Sequence, residues 1–216
     1  MIMWKSVYKY PTRNVMYLAI LSAAFTATLF LVGTDNVARN VINYLVGLLE
    51  ARVLDPAGYS SLASPLITTA SSLTPTIAIT ILLSVSTLPF VCYLFCIGRG
   101  YELGVFRVLG LNRAGVWLRL IIENIVFMLA AIIISLGIAA AFFRGYAYGM
   151  LSLYDIEATL YNLTGNYYGI ADNVGIGYRP IMATLILAGV ITVISTALQG
   201  IVIVKNEPMK LIRNFK

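Results

Sequence analysis

Apolar and polar positions along the chain separate into four long hydrophobic runs, at residues 15–32, 76–97, 120–143 and 181–204, with polar segments between them. A helix rises about 1.5 Å per residue, so roughly 20 apolar residues cross a hydrocarbon layer of about 30 Å. Each run meets or approaches that length, and the pattern predicts four spanning helices. Between the runs lie a segment at 33–75, a loop of about 20 residues before Leu120, and a segment at 144–180.

The polar segments carry an asymmetric charge. The segments before the first run, between the second and third, and after the fourth hold 11 of the 15 Lys and Arg, against two acids, Glu102 and Glu207. The other two segments hold Arg39, Arg52, Arg144 and Arg179 against six acids. By the positive-inside bias, both termini and the middle loop are expected in the cytoplasm, with 33–75 and 144–180 external. The overall charge of +6 is therefore a topology signal beside anionic lipid rather than a nucleic-acid footprint. With 60% hydrophobic and 11% charged residues, the chain is expected to be an all-α protein of a plasma membrane, with a single domain over 1–216.

Candidate chemistry is sparse. The sequence has no His, which removes the commonest general base and most metal sites, so catalysis by this chain is not expected. Cys92 and Cys96 lie four apart, a spacing poorly suited to a disulfide in a helix, and read as packing residues, with acylation the alternative. The first run is longer than a signal-peptide core and is expected to stay as a spanning helix. Ahead of it, Ile2, Met3, Trp4, Val7 and Tyr8 against Lys5 and Lys9 predict a short interfacial helix ended by Pro11.

The two external segments are expected to form small lobes. In the first, Asn36, Arg39, Asn40, Asn43, Gly47 and Glu50 lie opposite Val41, Ile42, Leu45, Leu48 and Leu49, predicting an amphipathic helix ending near Asp55-Pro56. A Ser/Thr-rich stretch from Ser60 follows, and Thr74-Pro75 is expected to cap the second span, with Pro89 kinking it. The second segment carries seven Tyr among Gly and Asn and reads as an irregular lobe, either an interfacial aromatic belt or a recognition surface. Asn162-Leu163-Thr164 is a glycosylation sequon there. Small residues recur every four positions at Ala19, Ala23, Ala27, at Ala131, Ser135, Ala139, and at Ala188, Thr192, Thr196, Gly200, offering rows for close helix contact.

The middle loop is the most specific part of the sequence. A short helix is predicted over about 101–110, with Glu102 in its first turn, Arg107 in its last and Gly110 as a left-handed stop. Leu103, Val105, Phe106, Val108 and Leu109 make it apolar nearly all round, so it needs cover from the membrane side and from another protein. The run Arg99-x-x-Glu102-x-Gly104-x-x-Arg107-x-Leu109-Gly110, with Glu123 thirteen residues on, resembles the signature of the FtsX/MacB-like permease family. The basic tail Lys205-Asn206-Glu207-Pro208-Met209-Lys210 is similar to that family's ending, although the family often has a basic residue where Tyr101 stands.

The resemblance implies a permease subunit of a mechanotransmission-type ABC system. It pairs with a second permease chain, identical or sister, and with two cytoplasmic ATPase subunits that supply ATP and Mg²⁺ chemistry. Glu102, Leu103, Gly104, Phe106, Arg107, Leu109, Gly110 and Glu123 would then serve ATPase coupling. The chain itself has no GxxxxGK[ST] phosphate loop, in keeping with ATP bound on another polypeptide. The runs contain no Asp, Lys or Arg, and Glu123 is their only acid, so no ionisable transport path is visible. Three roles are carried forward: export or extraction of a lipid, lipoprotein or peptide; regulation of an external envelope hydrolase without transport; and a non-ABC membrane scaffold. An external partner protein is compatible with the first two.

Overall fold

The computed structural model describes residues 11–97, 100–153, 156 and 175–205, all but a few of them helical. The helices are α1 (Pro11–Glu50), α2 (Pro56–Ile97), α3 (Gly100–Val108), α4 (Arg113–Leu153) and α5 (Tyr178–Lys205). The four expected spans fall inside α1, α2, α4 and α5, which are the helices long and apolar enough to cross a membrane. The expected interfacial helix at Ile2–Tyr8, the basic tail after Lys205 and Asn162 lie outside the described residues.

Three of the helices far exceed the membrane. At 40, 42 and 41 residues, α1, α2 and α4 extend roughly 60 Å, about twice the hydrocarbon thickness. Most of the 33–75 segment is helical, with α1 running unbroken through the expected amphipathic helix and α2 beginning at Pro56. The expected helix start at Thr74-Pro75 is overturned by Asp55, whose Oδ1 accepts from the Gly58 amide at 3.1 Å with Pro56 in the first turn. The Ser/Thr stretch stays helical because its hydroxyls donate back to carbonyls three or four residues earlier. Ser60, Ser61, Thr68, Thr69, Ser71 and Thr74 all do so, at 2.8–3.0 Å. The 144–180 segment is likewise helical at both ends, with α4 reaching Leu153 and α5 starting at Tyr178.

The chain divides into two compact units, and each long helix contributes residues to both. In the unit of residues 26–81 and 135–184, α1, α2 and α4 pack in i,i+4 rows. The rows are Val37, Val41, Leu45; Leu62, Leu66, Ala70; and Phe143, Ala147, Leu151. Phe143 meets Phe30 edge-on at 5.5 Å between ring centroids and lies so close to Gly33 that a Cβ there would stand 2.6 Å from the ring. Asn36, assigned by the sequence pattern to the polar face, is buried, and Gly177 packs on its side-chain amide where a Cβ would come within 2.7 Å.

In the other unit, which holds the chain up to Phe25, residues 82–134 and those from Leu185 onward, Tyr17 stacks on Phe95 at 4.7 Å and meets Phe127 edge-on at 5.2 Å. The Tyr17 hydroxyl and the Cys92 Sγ hydrogen-bond at 2.7 Å, so Cys92 is a buried polar contact as well as a packing residue. Ala131, Ser135 and Ala139 are fully buried, whereas Ala19, Ala23 and Ala27 are exposed. Large apolar side chains such as Ile79, Leu82, Leu83, Phe90, Leu129, Ile133, Ile186 and Val193 are also exposed. Surface of that kind is stable against lipid and not against water, and the protein is an integral membrane protein.

The α1–α2 corner carries a measurable strain. Arg52 adopts φ 57°, the Arg52 amide bonds the Leu49 carbonyl at 3.0 Å, and the Val53 amide bonds that of Leu48 at 3.0 Å. This is the paired closure of a helix ended by a left-handed residue, a position usually held by glycine. A non-glycine residue there costs about 1–2 kcal/mol. Arg52→Gly is expected to stabilise the protein by roughly 0.5–1 kcal/mol and Arg52→Val to destabilise it, read by thermal unfolding in detergent; equal melting of all three proteins contradicts the strain.

Candidate functional site

The candidate site is built around α3 and its corner with α4. Glu102 stands in the first turn of α3 and Arg107 in its last, matching the helix dipole at both ends. At the C-terminus the Gly110 amide donates to the Arg107 carbonyl at 3.2 Å and the Leu111 amide to that of Phe106 at 3.1 Å. Gly110 takes φ 96°, so glycine is required by the backbone, not by crowding, since open space surrounds its Cα. Asn112 then caps α4, its Oδ1 accepting from the Gly115 amide at 2.7 Å. Four residues thus end one helix and begin the next.

The root of α3 is buried. Leu103 is 3% exposed and packs with Cys96, Val116 and Leu120, with Phe106 against the same cluster. The Arg119 guanidinium lies 4.1 Å from the Phe106 ring centroid, a cation–π contact, and among the described residues its buried Nη2 has no hydrogen-bond partner. The tip is the opposite: Val108 is 62%, Leu109 74% and Leu111 41% exposed.

Above this corner lies a buried amide network. Asn124 Nδ2 donates to Gln199 Oε1 at 2.8 Å, and Gln199 Nε2 donates to the Cys92 carbonyl at 3.1 Å and to Asn124 Oδ1 at 3.4 Å. It ties α2, α4 and α5 at one point, and both side chains are buried. About two turns before Asn124 on α4, the Trp117 indole donates to the Thr196 carbonyl at 3.3 Å and packs on Gly200. Among the described residues no cluster of His, Cys, Asp or Glu could hold a metal ion.

The expected site residues therefore sort into two groups. Leu103, Gly104 and Phe106 belong to the packed root, while Leu109 and Gly110 sit at the exposed tip; Glu102, Arg107 and Glu123 are half-buried. Glu123 is on α4 beside the amide network, not on the tip. Leu111, Asn112, Asn124 and Gln199 are not singled out by the sequence pattern. For the last two the sequence does carry a signal, since side-chain amides inside apolar runs need partners. Replacing one amide strands its partners, so Gln199→Leu is expected to cost about 1–3 kcal/mol. The paired change Asn124→Leu with Gln199→Leu is expected to cost less than the sum of the singles in detergent unfolding; strict additivity would refute the network.

The FtsX-like permease C-terminal family model matches residues 75–208, from within α2 to the end of α5 and just beyond. No curated protein and no solved structure matches the chain.

Proposed function

This chain belongs to the FtsX-like permease family, and we propose that it forms the membrane half of an ABC-type machine in which a separate cytoplasmic ATPase drives motion used to export or extract a lipid, lipoprotein or peptide. As a family member it is a membrane subunit of an ABC-type system. In the proposed reading α3 and both termini face the cytosol, two ATPase subunits bind ATP and Mg²⁺, and a second permease chain completes the complex. The tip Val108-Leu109-Gly110-Leu111 seats in the ATPase, and Glu102 and Arg107 flank it.

One observation carries this reading: α3 is apolar at both its root and its tip, yet among the described residues only the root is covered. A leucine left 74% exposed beyond a tightly closed helix end is stable when a partner buries it. Burying two such aliphatic side chains contributes about 3 kcal/mol or more. The firm anchoring of Leu103 and Phe106 means that displacement of the tip moves the start of α4 with it. This mechanical reading needs no ionisable path through the bundle, in agreement with the lack of Asp, Lys and Arg in the four runs.

The test is co-purification of the tagged chain with its ATPase, followed by Leu109→Asp. The variant is expected to keep its melting temperature and elution volume, because the side chain is exposed, while ATPase retention falls by at least about tenfold. Leu103→Asp is expected to lose the folded protein instead. The reading fails if no nucleotide-hydrolysing subunit accompanies the wild type, or if Leu109→Asp retains it fully.

A further inference from the structure

Within the unit of residues 26–81 and 135–184, α1, α2 and the first turn of α5 line an open groove of about 520 Å³. Two guanidiniums, Arg39 and Arg179, border it, with Ile42, Ile67 and Ala70 as its apolar lining. Asn43, Ser71 and Thr74 supply polar atoms. The Ser71 and Thr74 hydroxyl protons are already donated to the Thr68 and Ala70 carbonyls, so the donors left for a ligand are the guanidiniums and the Asn43 amide.

Two cations sharing one groove repel each other, and among the described residues only Arg39 has a carboxylate partner. Arg39 Nε meets Asp35 Oδ2 at 2.8 Å, whereas among the described residues no carboxylate pairs with Arg179. Arg179 also stands in the first turn of α5, where the helix dipole disfavours a cation. An anion between the two guanidiniums relieves both strains. Planar five-donor guanidinium groups match phosphate oxygens in paired hydrogen bonds.

The groove also has a defined depth. Thr74 precedes the apolar run 76–97 by two residues and Arg179 precedes the run 181–204 by two, so both mark the level at which hydrocarbon gives way to headgroups. We propose that this groove seats the phosphate headgroup of an anionic membrane amphiphile, its acyl chains passing Thr74 and Arg179 toward the apolar runs. The proposal rests on the membrane placement within the reading above, and not on its ATPase partner. It narrows the cargo or regulatory ligand to a phosphate-bearing lipid.

The full-length chain in detergent is titrated with phosphatidic acid and, separately, with diacylglycerol of the same acyl chains, and retention is read by native mass spectrometry. Phosphatidic acid is expected to bind at least about tenfold more tightly, a preference that Arg39→Gln with Arg179→Gln erases. Ile67→Trp, which keeps both charges and fills the groove, is expected to weaken phosphatidic acid binding to the same degree; it decides the matter if the double variant misfolds. Millimolar inorganic phosphate is expected to leave the lipid bound. Equal binding of the two lipids, an undiminished preference in both variants, or displacement by inorganic phosphate as effective as by phosphatidic acid itself overturns the proposal. ATPase retention measured on the same preparations reports the coupling reading independently, so failure of one is distinguishable from failure of the other.

Discussion

In hydrocarbon there is no water to satisfy a polar group, and every donor this chain takes into the membrane must find its acceptor inside the protein. That constraint orders the whole structure. It favours long helices, folds Ser and Thr hydroxyls back onto their own helix carbonyls, and pairs the Asn124 and Gln199 amides with each other across 75 residues of sequence. It also fixes where the backbone leaves helical form: both described corners close their freed carbonyls by the same left-handed device, with Arg52 at one and Gly110 at the other.

The spanning helices were legible because hydropathy reports what lipid demands of a segment. It says nothing of where a helix stops once it leaves the lipid, and there the reading failed. Asp55-Pro56 is a helix start visible in the sequence, yet Thr74-Pro75 lay closer to the apolar run and the intervening hydroxyls resembled a loop. Those hydroxyls are satisfied within α2, so the composition of a loop is compatible with a helix. Asn36 was misassigned for a related reason: helical spacing places it among polar neighbours, but Gly177 on a distant segment covers it.

The short helix α3 was legible in more detail, since charge placement and Gly110 are local signals. Its division into a buried root and a bare tip was not, because burial of Leu103 depends on Val116 and Leu120 of the next helix and Cys96 of the preceding one. The same limit hid the amide network, whose members come from three helices. Local chemistry thus identified the element, and tertiary contacts assigned the work of each residue. The family match covers this same stretch of chain, from α2 through α5, and leaves the first helix and the corner at Arg52 beyond it.

The α3–α4 corner holds a last consequence. Its four residues are pinned by a glycine-closed helix end on one side and the Asn112 cap on the other, and Arg119 clamps the Phe106 ring across the joint. Such a corner has little slack, because the helix end before it and the helix start after it are both closed by short-range hydrogen bonds rather than joined by a free loop.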